Sequence, residues 1–190
     1  MPAKILPLMS SSPAESALDA FLASVEARAY RSALLTTKKS ADALDIVQEA
    51  MLHLVQSYRA RDSAEWPLLF QRILQHKILD WHRAQTKQRR WFWQVPANVV
   101  EDESESVIDT IVDDKNGNPA EIVARAQDIN RVLDALAMMP LRQRQVFLLR
   151  AWEGFDVAST ASVMACSEGS VKTHYFRALQ FMRTQLLLGE

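Results

Sequence analysis

Only four glycines are spread over 190 residues. A sheet of many short strands needs turns, and tight turns draw on glycine, so so few of them weigh against it. The long runs between them are rich in Ala, Leu, Gln and Arg, which lie at the favourable end of helix propensity. An all-α chain is the expectation. Apolar residues make up 48% of the sequence, enough to bury a core and to set aside a wholly disordered chain. The length suits one ordinary domain or two small ones.

Periodicity divides the chain. In residues 42–55, Leu44, Val47, Met51 and Leu54 recur at three- and four-residue spacing, which predicts one apolar stripe along a helix. Asp45, Gln48, Glu49 and Leu52 fall elsewhere on its surface, and Ser40 and Asp42 are suited to cap its start. After a polar break at 58–67, Leu69, Ile73 and Leu74 open a second long helix that runs through Asp80 and Arg83 toward Arg90. Pro96, an acidic run and the stretch 113–119 then predict a linker, with Val107, Ile108, Ile111 and Val112 as its apolar exceptions. Helical spacing resumes at Ile122, breaks at Pro140, and returns in a helix that should end near Gly154. The expected organisation is a tail over 1–13, a helical domain over 14–93, an acidic linker over 94–121 and a second helical domain over 122–190.

The formal net charge is −1, but its distribution is uneven. Arg59, Arg61, Arg72, Lys77, Arg83, Lys87, Arg89 and Arg90 gather in the first domain; Glu101, Asp102, Glu103, Glu105, Asp109, Asp113 and Asp114 gather in the linker. Along the second long helix Arg72, His76, Asp80, Arg83 and Lys87 share one face, cationic except for Asp80. Trp81, His82, Trp91, Phe92 and Trp93 place aromatic rings among these charges, a combination that suits unstacked bases and phosphates. For Trp81 alone, packing in the core is the plainer account.

From Val157 onward the layout is that of a helix-turn-helix. A short helix ends near Met164, a turn covers 165–169, and a final helix starts at Ser170. Val171, Tyr175, Leu179 and Met182 are expected to face inward, with small Ala161 allowing close approach. Ser170, Lys172, Thr173, His174 and Arg177 are left facing out from the first turns, where a recognition helix presents donors to a major groove. Spacing alone leaves open an ordinary antiparallel helix pair with a solvated face.

Three segments, taken in order, resemble the extracytoplasmic-function group of bacterial sigma factors in the sigma-70 family. Residues 42–55, DALDIVQEAMLHLV, resemble the region 2 helix that docks on the clamp helices of RNA polymerase. Residues 68–83, LLFQRILQHKILDWHR, resemble the −10-reading helix, and residues 139–179 resemble the region 4 helix-turn-helix that reads the −35 element. The resemblance implies polymerase contacts from Asp45, Gln48, Glu49 and Leu52. It implies −10 DNA contacts from Arg72, His76, Lys77, Trp81, Arg83, Lys87, Arg89 and Arg90. It implies −35 contacts from Arg144, Ser170, Lys172, Thr173, His174 and Arg177. The implied partners are core RNA polymerase, through clamp helices and flap, promoter DNA and an anti-sigma protein of the kind that commonly restrains the family; the acidic linker would thread polymerase channels. His76 stands where the family often has Asn, Ser159 and Thr160 stand where it usually has Glu-Ile, and Leu69 replaces a frequent Trp.

No enzyme is expected. His53, His76, His82 and His174 are scattered, no glycine-rich phosphate loop exists, and no metal-ligand spacing or cofactor motif is present. The lone Cys166 suits a small packing role. No apolar stretch approaches the roughly 20 residues that span a bilayer, and no signal peptide is read, so a cytoplasmic setting without membrane insertion is expected. The alternative function is a helix-turn-helix regulator that binds duplex DNA without being a polymerase subunit.

Overall fold

The computed structural model describes residues 13–92 and 119–187. Among these the regular elements are helical throughout. Helices α1 (Pro13–Thr37), α2 (Ser40–Tyr58) and α3 (Trp66–Phe92) form the first module; α4 (Pro119–Met138), α5 (Leu141–Phe147), α6 (Val157–Met164) and α7 (Glu168–Leu187) form the second. A 3-10 turn (Ser63–Glu65) leads into α3, and a π turn (Leu148–Trp152) continues α5. The expected tail, apart from Pro13, and the linker up to residue 118 lie outside the described residues, as does Trp93; α4 already begins at Pro119, two residues inside the expected linker boundary of 121.

The first module packs α1 on α2 and α2 on α3 around Leu34, Ile46, Leu54, Phe70, Leu74 and Ile78. Phe21 meets Trp66 and Phe70 at ring separations of 5.9 and 6.1 Å, the second edge-on, which is the favoured geometry of aromatic quadrupoles. The buried face of α2 is Ala43, Ile46, Val47, Ala50 and Leu54. Leu44, expected inward, is 46% exposed. The two alanines explain the shift: small side chains let α1 and α3 approach α2 closely, so the contact line runs through them and Leu44 turns out. Nor does Ser40 cap this helix. It is the first helical residue, Lys39 holds the cap position without a side-chain bond, and Thr37 Oγ1 receives the Lys39 N–H at 3.3 Å while donating to the Lys39 carbonyl.

In the second module α7 lies across α4, α5 and α6. Pro140 stops α4 and caps α5. Asp156 caps α6 by accepting the Ser159 N–H at 2.6 Å, and this bond to its ionised form holds the carboxyl below the usual aspartate range. Thr160 is fully buried and donates to the Asp156 carbonyl at 2.7 Å, so the position where the family usually has Ile is filled without an orphaned hydroxyl. Helix α6 ends on Ala165 in the left-handed region (φ 49°, ψ 51°), with the Cys166 N–H reaching back to the Ala161 carbonyl at 3.1 Å. Ser167 then accepts the Ser170 N–H at 3.1 Å to start α7. Val171, Ala178 and Met182 are buried and Tyr175 half-buried, but Leu179 is 40% exposed. Ala178, one position earlier, takes the inward place expected of Leu179, because α7 sits too close to α4 and α5 for a larger residue.

Candidate nucleic-acid interface

On α2 the residues left outside the contact line form a single face. Asp45, Gln48, Glu49 and Leu52 are all exposed at spacings of three, one and three, with Leu44 beside them. Leu52 is 55% exposed, an apolar side chain with no partner in this module. An exposed apolar residue ringed by carboxylates and an amide is the chemistry of a protein-docking face, since phosphate would be repelled.

On α3, Arg72, His76, Asp80, Arg83 and Lys87 are exposed along one side, while Trp81 is half-buried against the module core, as packing requires. The cations on it are not all free. Lys77 Nζ lies 2.6 Å from Glu49 Oε2 across α2 and α3, Arg83 approaches Asp80 at 3.5 Å, and Arg72 donates to Ser162 Oγ on α6 at 2.7 Å. Arg89 and Arg90 fall within α3, but their side chains lie outside the described residues.

The outward edge of α7 presents exposed Lys172, Thr173 and Arg177, with Ser170 and His174 half-buried at its flanks. Ser170 Oγ pairs with Ser167 Oγ at 2.9 Å and Thr173 donates to the Gly169 carbonyl at 2.9 Å, so both hydroxyls are held by the helix start. Lys172 and Arg177 remain as the long cations of this edge. Behind it, Arg150 stacks 5.6 Å from the Tyr175 ring and donates to the Phe155 carbonyl, tying the π turn to α7.

Arg144, expected to meet DNA, does not reach the surface here. It is 6% exposed, and its guanidinium donates to the Leu35, Leu136 and Ala137 carbonyls at 2.9, 3.2 and 3.2 Å and to Thr36 Oγ1 at 3.1 Å. A cation placed at the C-terminal ends of α1 and α4 satisfies carbonyls that those helices leave unpaired and meets their negative dipole ends. Burial lowers its pKa to about 10, so it is still charged at neutral pH. Beside it lie residues the sequence reading passed over: Gln145 donates to the Gln75 carbonyl and side-chain oxygen at 3.3 and 3.0 Å, and Glu153 faces Arg28 at 3.9 Å. Burial raises the Glu153 pKa, against the opposing pull of Arg28 and a hydrogen bond from Gln71. No periodic signal distinguishes such residues from solvated ones.

A further feature is an apolar cleft of about 460 Å³ in the second module, lined by Ile129, Val132, Leu133, Leu136, Phe147 and Trp152 with Ala151. Among the described residues no cluster of His, Cys, Asp and Glu is placed to hold a metal ion, and no helix is long and apolar enough to cross a membrane.

The two helical modules, the second carrying a helix-turn-helix with a cationic outer edge, have the architecture of two-module helix-turn-helix proteins. Residues 129–182 match the family model described as Sigma-70, region 4. The chain is similar to the RNA polymerase sigma factor SigV of Bacillus subtilis, at 29% identity over 83% of each sequence. It is similar to the RNA polymerase sigma-E factor of Streptomyces avermitilis, at 29% identity over 82% of this chain and 77% of that one. The ECF RNA polymerase sigma factor SigD of Mycobacterium tuberculosis is 25% identical over 75% of this chain, which spans 62% of that relative's length. Among solved structures, the sigma factor RpoE of Bartonella quintana, determined in complex with the anti-sigma factor NepR, shares the fold with a TM-score of 0.63 at 19% identity, covering 90% of this chain and 98% of that one. Residues 129–182 thus match sigma-70 region 4, and over three quarters or more of its length the chain is similar to extracytoplasmic-function sigma factors of the sigma-70 family.

Proposed function

We propose that this chain binds core RNA polymerase and directs it to promoters by engaging −10 and −35 DNA, in the cytoplasm and without chemistry of its own. The observation that carries the reading is a division between two exposed helix faces. Asp45, Gln48, Glu49 and Leu52 on α2 suit a protein partner, and Lys172, Thr173 and Arg177 on α7 suit DNA. On α2 those four residues dock on the polymerase clamp helices. On α3, Arg72, His76, Lys77, Arg83 and Lys87, continued by Arg89 and Arg90, engage the −10 region, with Trp81 stiffening the helix from behind. On α7, Lys172, Thr173 and Arg177, flanked by Ser170 and His174, lie in the −35 major groove, while Arg144 acts from within the fold and makes no base contact. The apolar cleft between α4 and the π turn accepts an apolar segment of the polymerase flap, and an anti-sigma protein would compete for these same faces.

The test is transcription initiation with purified chain and core polymerase on a library of promoter templates, with start sites mapped. Discrete start sites that need both proteins are expected. Tight, sequence-specific DNA binding by the chain alone, with no start sites and no association with core polymerase, would overturn the reading in favour of a free-standing regulator.

A further inference from the structure

Two surfaces of the first module meet at a single ion pair. Glu49 belongs to the exposed face of α2 with Asp45, Gln48 and Leu52, and Lys77 belongs to α3, next to His76 on its cationic side. Lys77 Nζ lies 2.6 Å from Glu49 Oε2, and among the described residues no other ion pair joins two helices of this module. Arg83 and Asp80, 3.5 Å apart, both stand on α3 and tie it to no other helix. The Glu49 side chain is 61% exposed and that of Lys77 is 35% exposed. The carboxylate is therefore open to an incoming protein, while the ammonium reaches back across the groove to α2.

We infer that this pair couples the two faces. Glu49 holds Lys77 in the free chain, a cation of the partner that docks on α2 takes the carboxylate, and the released ammonium turns to a DNA phosphate beside His76. The inference rests on the proposed promoter function, in which core RNA polymerase is that partner. Asp45 and Glu49 make the outer face of α2 acidic, so a protein that covers it must bring Arg or Lys or else bury bare carboxylates. A guanidinium that binds Glu49 through both oxygens competes directly with Lys77. Lysine carries its charge on a flexible stem with rotatable donors, so the ammonium changes partner without any movement of α3.

In the paired state a phosphate near Lys77 meets a charge already neutralised, with the Glu49 carboxylate beside it. Once Glu49 is engaged elsewhere, the same position offers a full positive charge. An exposed ion pair shifts an equilibrium by no more than roughly fivefold, so the coupling is a graded bias and not an on–off gate. It is also reciprocal: whatever docking adds to DNA affinity, DNA adds to docking.

The test uses the full-length chain and a fluorescein-labelled single-stranded oligonucleotide of mixed sequence, followed by anisotropy across a salt series. For the chain alone, Glu49→Gln should tighten binding by roughly two- to fivefold. It should also steepen log affinity against log salt by about 0.7, the contribution of one further phosphate contact on a single strand. In a Lys77→Met background the same change should gain markedly less and leave the slope alone; in a Lys87→Met background it should gain as much as in the parent. A gain and a slope change that persist in full without Lys77 would mean that Glu49 merely repels DNA, and would overturn the inference. Affinity for core RNA polymerase, measured with and without the oligonucleotide, gives the second readout. The oligonucleotide should raise it by roughly two- to fivefold more in the parent than in Glu49→Gln or Lys77→Met. A ratio cancels any loss of docking that Glu49→Gln causes by itself. Equal ratios in the parent and both variants would sink the coupling. A chain that binds no core polymerase under any condition would sink the promoter reading instead, while the salt slopes would still decide whether Glu49 holds Lys77 from DNA.

Discussion

Helices α2 and α7 are near equals in length, and each buries one face against a module core, yet their outer faces carry opposite chemistry. The outer side of α2 shows Leu44 and Leu52 among Asp45, Gln48 and Glu49; that of α7 shows Lys172, Thr173 and Arg177. In α2 the contact line runs through alanines, which frees large apolar residues to point outward. In α2, small residues on the contact line and large apolar residues on the outer face thus go together. In α7 the same substitution of Ala178 for a larger inward residue leaves Leu179 and Phe176 exposed beside the cations, so its distal half offers apolar surface while its first turns offer charge.

The contrast breaks most severely if Lys172 and Arg177 are both replaced by alanine. Losing two phosphate or base contacts at about 1–3 kcal/mol each should cut −35-dependent initiation by roughly 30-fold or more, and flatten the salt dependence of DNA binding, with core polymerase affinity unchanged. Equal loss of both activities would contradict the division between faces. Leu52→Asp on α2 should do the reverse. A buried apolar anchor at an interface is typically a matter of about 2 kcal/mol, so pull-down of core polymerase should weaken by roughly 30-fold with little change in Tm, because the side chain is already solvent-exposed. A Tm drop as large as that of a core truncation such as Leu54→Ala, about 2–5 kcal/mol, would place Leu52 in the fold instead.

Smaller effects sharpen the picture. His76→Asn changes an exposed residue of α3, so thermal stability should move by no more than about 0.5 kcal/mol while −10 sequence preference shifts in start-site mapping. Asp156 supports α6 through its ionised carboxylate, and its folded pKa lies below the unfolded one. That support is present above the ordinary aspartate range and fades as pH falls through the lower folded value, so the acid limb of a Tm–pH curve should flatten in Asp156→Ala. Last, Ala165→Gly relieves a left-handed backbone position and should stabilise the chain by no more than about 1 kcal/mol, the gain offset in part by the freer unfolded chain.

Three- and four-residue spacing made the helices legible, including the break at Pro140 and the helix-turn-helix. What spacing could not convey was which of two neighbouring residues lies on the contact line. Leu44 and Leu179 are the larger hydrophobes, and a reading weighted by hydrophobicity prefers them to Ala43 and Ala178, whereas close packing selects the smaller residue. The outward residues of α2 and the first turns of α7 were legible because polar residues left over from a stripe must face water. Arg144 was not, since a guanidinium serving two helix ends is spelled like one serving phosphate. Its partners, Leu35 and Thr36, lie more than a hundred positions away, and no local pattern encodes that pairing.

The π turn at Leu148–Trp152 carries a lesson about alignment. Its Glu153 N–H reaches the Leu148 carbonyl, five residues back instead of four, so one more residue is wound into the turn than an α-helix would hold. Within this last turn the residues are rotated by up to about 100° relative to an uninterrupted α-helix, before the helix ends at Glu153. That rotation helps bring Trp152 round to the wall it shares with Ile129 and Val132. A chain shortened by a single residue at this point would keep nearly all its helix, yet swing the indole away from that wall, and a comparison of sequences that ignored the extra residue would match the wrong faces within this turn.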